Sequence, residues 1–423
     1  MEEGGCSSSS KSNPPTLQKL RPISLTDNFA KLAELFVSKW VLSDIESCIN
    51  TQQFGNRNGM STTHCLVDLM NLLYKHSDVS NSTSRIVLTD YSKAFDRVDH
   101  NVAIGKLLHL GVRASIIPWI CSFLQDRQQC VRYHSTTSTW LPVNAGVPQG
   151  TRLGPVIFTA LVNDIATGLL SSHWQYVDDL TLVECLIKNQ QSHMQEDLDY
   201  IHHWSSANHM KLNPSKCSVM TVSFTRQPHG LEQLHISDNV LQEMTSYRIL
   251  GVIVQADLKW DAHVQNMISR ANKKLYILKT LKRFCLPVND LISIYLGYIR
   301  PLLEYATPVW NFSLTSKHVK ALENFQKRVC KIILSTEYNG YDDALASCGL
   351  SALSKRRNQL CIKFAQSLLT SKHFSTWIPS TRHQSHGRQL RNSSTLTVPF
   401  CRTKRYQNSP LVGLIKLLNS VPN

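Results

Sequence analysis

Cysteine pairs at metal-binding spacing are missing from this chain. None of its twelve cysteines forms a Cys-x-x-Cys pair or stands in a zinc-knuckle spacing with histidine. That argues against a zinc site or a disulfide framework, and for free thiols in a reducing, intracellular compartment. Long apolar runs are missing too: no segment reaches the roughly 20 residues that a membrane span needs. Met1 to Pro15 runs acidic, then Ser-rich, then Pro-Pro, without the apolar core of a signal peptide. Acid is scarce, with 30 Asp+Glu against 45 Lys+Arg, a net charge of +15 and a pI near 9.3. From Lys355 to Asn423, twelve Lys/Arg meet no acid at all. Such an excess implies a polyanionic partner. Apolar residues are plentiful, at 42% of 423 residues, which supports folded cores and two or three domains of roughly 100–200 residues each.

Residues 1–16 read as a disordered leader, with order starting at Leu17. Phe29 to Ile49 carries Leu32, Leu35, Phe36, Trp40 and Val41 at helical spacing, a candidate core face. Gln53 to Thr63 holds two glycines, Arg57 and three hydroxyls ahead of a helix over His64 to Tyr74. It is either a phosphate-holding helix start or a plain capped loop. Ile86 to Leu88 reads as a buried strand ending at Asp90, and a carboxylate there needs a partner or a metal. Asp96 and Asp99 read as structural, through pairing with Arg97 or capping of the next helix. Ile104 to Gln125 is helical with breaks at Gly111 and Pro118, and Gln129 to Tyr133 with Thr139 to Val143 reads as a hairpin. Asn144 to Pro155, with three glycines and two prolines, is a connector or a loop that lets backbone approach a ligand.

Gln175-Tyr176-Val177-Asp178-Asp179-Leu180 sets two adjacent acids at a turn between apolar runs. It is a solvated turn or a cation site. Helix follows at Gln190 to Asn208, then a turn with Lys216 into a strand at Ser218 to Phe224, and another strand at Tyr247 to Val254. Beyond Trp260 the pattern is helical: Trp260 to Phe284, Asn289 to Tyr305, Ser316 to Leu334, and a basic helix at Ser354 to Leu369. A loose tail is expected from Ser371 onward. Strands and helices alternate without regular βαβ spacing, which predicts an α+β fold with an antiparallel sheet and helices on one face. If the Asp90 strand lies beside the Asp178-Asp179 hairpin, three carboxylates converge. That oxygen set fits two Mg²⁺ or Mn²⁺ ions in phosphoryl transfer.

These blocks, in this order, resemble the reverse transcriptase of non-LTR (LINE-type) retrotransposons, especially the jockey and chicken-repeat branches. The likeness runs from about Leu20 to about Leu369. It rests on Arg21-Pro22-Ile23-Ser24-Leu25, Gln53-Phe54-Gly55-Asn56-Arg57, Asp90-Tyr91-Ser92-Lys93-Ala94-Phe95-Asp96, Gly146-Val147-Pro148-Gln149-Gly150-Thr151, Tyr176-Val177-Asp178-Asp179, and Lys216 with Leu250-Gly251-Val252. Pro301-Leu302-Leu303-Glu304-Tyr305-Ala306 and the stretch from Gly349-Leu350 to Arg356-Arg357 resemble the family's downstream segments.

The resemblance implies a right-hand polymerase. The expected divisions are a reverse transcriptase domain over 17–254 (fingers 17–84, palm 85–254), a helical thumb over 255–340 and a basic extension with a loose tail over 341–423. It implies RNA-templated addition of dNMP to a primer 3′-OH, with RNA template, DNA primer and dNTPs as partners and no membrane. Asp90 and Asp178 would bridge two metal ions, Asp179 would complete the site, and Lys216 would protonate pyrophosphate unless it is a surface lysine. Phe95 would exclude a ribose 2′-OH unless it is a core-packing residue, Gln149 would lie near the sugar, and Arg57 would meet the triphosphate. The backbone of Tyr91 and Ser92 would touch phosphates, and Leu250, Gly251 and Val252 would form the primer grip.

Two departures stand out: Lys19-Leu20 replaces the usual Asn-Tyr before Arg21, and Val177 replaces the commoner alanine. The family's upstream endonuclease finds no room before Leu17, so target-site cutting is not expected of this stretch. The rival expectation is a truncated or decayed copy that binds RNA without catalysis.

Overall fold

The computed structural model describes residues 4–10, 20–225, 230–381 and 395–420. Gly4–Ser10 (β1) pairs with Leu20–Leu25 (β2), so the described part of the expected leader is extended; the rest of 1–16, with Leu17, lies outside the described residues. Two helices follow, Asn28–Ile45 (α1) and Thr62–His76 (α2). Ser82–Leu88 (β3) leads through a 3₁₀ turn at Ala94–Arg97 to His100–His109 (α3) and Ile117–Leu124 (α4). Arg127–Tyr133 (β4) pairs with Thr136–Thr137 (β5) and Leu141–Val143 (β6).

Leu153–Leu161 (α5) precedes the hairpin of Ser172–Tyr176 (β7) and Asp179–Ile187 (β8). Met194–Ala207 (α6) and Ser218–Ser223 (β9) come next. Short strands at His235–Ile236 (β10), Asn239–Val240 (β11) and Gln242–Glu243 (β12) lead to a hairpin of Ser246–Ile249 (β13) and Val252–Gln255 (β14). The remainder is helical: Asp261–Arg283 (α7), Val288–Ile294 (α8), a π turn at Tyr295–Ile299, Pro301–Glu304 (α9), Thr307–Trp310 (α10), Ser316–Leu334 (α11), Tyr341–Ser347 (α12) and Leu353–Thr370 (α13). Lys404–Gln407 (α14) and Pro410–Ser420 (α15) complete it.

The central sheet runs β12-β9-β3-β8-β7, antiparallel except where β12 joins β9. Every residue of β3 is buried. Ile86 and Leu88 face a core shared with α2 and the C-terminal helices, while Val87 faces a second core built with α1, α3, α5 and α6. Helices therefore cover both faces, not one as expected. Three consecutive apolar residues in a strand, here the last three of β3, need cover on both sides, because side chains alternate.

Three other expectations change. On α1 the buried face is Glu34, Val37, Ser38, Val41 and Ile45, and Leu32, Phe36 and Trp40 are exposed. Both faces of this helix are apolar, and Glu34 decides which turns inward: its carboxylate accepts from Arg152 N (2.7 Å) and Leu153 N (3.1 Å) at the start of α5, where an anion is favoured. The helix over Asn289 to Tyr305 is broken into α8, the π turn and α9. The tail after Ser371 is not all loose: Val412, Leu414 and Ile415 of α15 are buried, an apolar run that the polar stretch before it masks in composition. Asp99 caps α3 as expected, accepting from Asn101 and Val102 N.

The basic extension returns to the first helices. Phe374 stacks on His64 of α2 with ring centroids 4.2 Å apart and 8° between planes, and on Phe54 at 6.4 Å and 6°. Burial lowers His64 to a pKa of about 4, and burial also lowers His263 of α7 to about 4. Both rings fold as neutral imidazoles, whereas the unfolded chain takes up a proton near pH 6.5. Their contribution is complete above about pH 6.5 and is lost as pH falls toward 4, by about 1–3 kcal/mol for each ring. Urea midpoints measured from pH 7.5 to 4 should fall accordingly, and His64→Gln with His263→Gln should flatten that fall.

Gly146 has φ +88, and a Cβ there would lie 2.8 Å from the Asp96 carbonyl oxygen. Gly146→Ala should cost about 2–3 kcal/mol, read as a lowered urea midpoint.

Candidate active site

Asp90 stands two residues past β3, and its backbone is held by the turn that precedes β9. Its carbonyl accepts from Asn213 N at 2.8 Å, and Ser92 N donates to the Lys211 carbonyl at 2.8 Å. This pairing carries Lys216 to the site, where its Nζ lies 2.9 Å from Asp90 Oδ2. The Asp90 side chain is 32% exposed, open enough to meet a ligand.

The β7–β8 hairpin turns through Val177 and Asp178, with Tyr176 paired to Asp179. The β3–β8 register pairs Leu88 with Thr181, and Thr89 N donates to the Leu180 carbonyl at 3.1 Å. Carried two residues beyond Leu88–Thr181, that register sets Asp90 opposite Asp179, while Asp178 occupies the turn. Asp179 opens the strand, whereas Asp178 is a turn residue, so strand alternation does not separate the two acids.

Asp90 and Asp179 line one cavity of about 70 Å³, together with Cys65, Tyr176, Tyr247 and Leu250. Burial pushes the Tyr247 phenol up, and the charges of Asp90 and Asp179 push it further, so both carboxylates act on one point. The neighbouring thiols are poor metal ligands. Burial raises Cys217 to about 11 and raises Cys65 well above the thiol range, so both stay protonated and the hard carboxylate oxygens are the available donors. Such a donor set suits Mg²⁺ or Mn²⁺, and the Lys216 ammonium shows that the site accepts positive charge. Among the described residues no three His, Cys, Asp or Glu side chains form a preassembled metal cluster.

The first and second motif blocks are joined by backbone hydrogen bonds. Val147 N donates to the Phe95 carbonyl and Gly146 N to the Val98 carbonyl, both at 2.8 Å. The Phe95 ring stacks on Phe158 at 4.5 Å and 14°, and Phe95 is half-buried. Gln149 Nε2 donates to Asp96 Oδ1 at 3.1 Å, so Asp96 is tied by Gln149 and not by Arg97. Ser24 N donates to the Gln149 carbonyl at 2.7 Å, joining the Arg21–Leu25 block to the same loop.

Other site expectations are corrected. Arg57 is buried, donating to the Asn50 carbonyl (3.2 Å) and to Glu46 (3.1 Å); it does not line the cavity, and the loop before α2 is a capped connector with Ser61 as N-cap. The Tyr91 side chain packs inward, its hydroxyl 2.9 Å from Ser205 Oγ, and the Ser92 amide is already occupied. Leu250 and Gly251 are not strand residues: with φ +45 and +88 they make the turn between β13 and β14, since positive φ at both central positions matches hairpin twist.

Tyr305, at the end of α9, pins that turn, donating to the Leu250 carbonyl (2.8 Å) and lying 3.0 Å from Thr62 Oγ1. Sequence reasoning placed Tyr305 only in a downstream block. It also missed Gln53 and Gln175, whose buried amides hold the Val177 backbone; their one signal was that both sit in motif blocks.

Comparison with known proteins identifies the family. Residues 10–254 match the family model described as "Reverse transcriptase (RNA-dependent DNA polymerase)". The chain is 25% identical over 334 residues to the probable RNA-directed DNA polymerase from transposon X-element of Drosophila melanogaster, covering 75% of this chain and 36% of that protein. It is 25% identical over 337 residues to the RNA-directed DNA polymerase from mobile element jockey of Drosophila funebris, covering 76% of this chain and 36% of that protein. The chain thus spans about a third of the length of these relatives. Among solved structures, apo telomerase from Candida tropicalis is similar at a TM-score of 0.46 and 12% identity, covering 88% of this chain and 67% of that one. With the family model spanning more than half of its length, the chain belongs to the reverse transcriptase family, in the company of non-LTR retrotransposon polymerases.

Proposed function

We propose that this chain is the RNA-directed DNA polymerase portion of a non-LTR retrotransposon protein, adding dNMP to the 3′-OH of a DNA primer on an RNA template and releasing pyrophosphate. One observation carries the reading: strands far apart in sequence set Asp90 and Asp179 opposite each other at one cavity, with the Lys216 ammonium on Asp90. Asp90, Asp178 and Asp179 supply the oxygen ligands. When bound, two Mg²⁺ or Mn²⁺ ions lower the pKa of the primer hydroxyl and neutralise the triphosphate. At about 70 Å³ the cavity suits ions and a few waters, so the nucleotide binds at its mouth.

Lys216 is 62% exposed and can swing from Asp90 to give a proton to the departing pyrophosphate. Phe95, fixed by Phe158, lies under the sugar and excludes a 2′-OH, with Gln149 beside it. The Leu250–Val252 turn, pinned by Tyr305, supports the primer end. The template–primer backbone runs along the basic helices. A cleft of about 750 Å³ between α7 and α11 presents Lys273 and Lys317 with Asn272 and Gln265, donors suited to phosphates.

Asp90→Asn or Asp178→Asn should lower primer extension by at least ~10³-fold with template–primer binding kept within about twofold, because a metal ligand is lost and the basic surface is not. Lys216→Ala should cost roughly 10²-fold in kcat, the scale of a lost general acid. An Asp90→Asn enzyme as active as wild type would sink the site. Folded wild-type protein that binds RNA yet incorporates no dNTP would favour a binding-only copy. Lys273→Ala with Lys317→Ala should weaken template–primer binding and lower its log–log salt slope by about 2, measured by fluorescence anisotropy between 50 and 300 mM salt.

A further inference from the structure

The left-handed turn residue of the β7–β8 hairpin is a valine. Val177 has φ +61, a conformation that β-branched side chains rarely adopt and that two-residue hairpins ordinarily give to Asn, Asp or Gly. Something outside the hairpin must hold it there. Two fully buried glutamines do so. Gln53 Oε1 accepts from Val177 N at 3.0 Å and from Gly55 N at 2.8 Å, and Gln175 Nε2 donates to the Val177 carbonyl at 3.3 Å. Gln53 and Gln175 are 0% and 1% exposed.

The segment carrying Gln53 is stitched to β7: Phe54 N donates to the Gln175 carbonyl (2.8 Å) and Gln175 N to the Gln52 carbonyl (3.0 Å). Gly55 closes the socket, since a Cβ there would lie 2.5 Å from Val177 Cγ2 and 2.7 Å from Val177 N. Val177 is therefore gripped at its N–H, at its C=O and along its side chain, and the next residue in the chain is Asp178.

We propose that Gln53 is a positioning residue for the polymerase reaction. Its side-chain carbonyl holds Val177 in the left-handed region and so fixes where Asp178 and Asp179 present their carboxylates, without touching substrate. This rests on the reading of those carboxylates as metal ligands. It follows that the loop before α2 serves the reaction through the hairpin and not through its arginine. A β-branched turn residue without such a grip relaxes toward negative φ and carries Asp178 with it. Misplacement of a ligand by about 1 Å is enough to cost on the order of 10²-fold in rate.

The test uses Gln53→Leu, which keeps the volume and removes the acceptor, alone and with Val177→Gly, which adopts positive φ unaided. Hydrogen exchange of the peptide spanning 174–180, Mn²⁺ binding by electron paramagnetic resonance, and primer extension are read on each protein. Gln53→Leu is expected to raise Val177 amide exchange by at least about tenfold, weaken Mn²⁺ binding about tenfold, and lower kcat by ~10–100-fold with dNTP KM within about twofold. Adding Val177→Gly should restore Mn²⁺ binding and kcat to within about threefold of wild type. Should Gln53→Leu fold poorly, Gly55→Ala strains the same socket from the other side and should give the same pattern.

Wild-type exchange, Mn²⁺ binding and kcat in Gln53→Leu would overturn the proposal, as would a double variant no better than Gln53→Leu. A wild-type protein that binds Mn²⁺ but never extends a primer would defeat the polymerase reading instead, and the exchange and Mn²⁺ measurements would still decide the positioning role.

Discussion

The antiparallel register between β3 and β8 is the constraint on which the rest of the molecule depends. It is specified by burial on both faces: Ile86 and Leu88 enter one core and Val87 the other, while Leu182 and Val183 do the same from β8. A slip by one residue would exchange these sets and move every side chain to the wrong face. The same register that satisfies the two cores sets Asp90 opposite Asp179. Packing energy, drawn from many apolar contacts, thereby holds two like charges together that would repel if left alone.

The loops around this sheet are adapted to close approach. Gly146 and Gly55 leave no room for a side chain against Asp96 and Val177, so the glutamine loop and the segment before α2 lie directly on the two carboxylate-bearing turns. The C-terminal half contributes from the far side. Tyr305 reaches the β13–β14 turn and the start of α2, and Phe374 stacks on His64 and Phe54. The segments that carry the expected chemistry are thus braced by elements far away in sequence, and the C-terminal half is anchored against the segment that leads into α2.

Much of this was legible in the order of residues. Asp90 at the end of an apolar strand, the paired acids at a turn, the glycine loop with Gln149 and the lysine before β9 were all readable, because each is a local signal: apolar period, turn chemistry, backbone freedom. Helices α7, α11 and α13 were readable for the same reason. Helix α1 was misread because both of its faces are apolar and local periodicity cannot rank them; a single tertiary contact, Glu34 on the start of α5, settles the choice. Arg57 was misread because an arginine in a glycine-containing loop looks the same whether it meets a phosphate or, as here, Glu46.

By itself, then, the sequence determined which segments are strands, helices and turns across most of the chain, and which residue types could perform phosphoryl transfer. The reason is that propensity and periodicity act over a few neighbouring residues. Only the tertiary structure decided which acid faces Asp90, that Lys216 lies on it, and that Gln53 and Gln175 hold the valine before Asp178. Those facts follow from strand register and, for Lys216 and Gln53, from contacts between residues more than a hundred positions apart, about which local pattern carries no information.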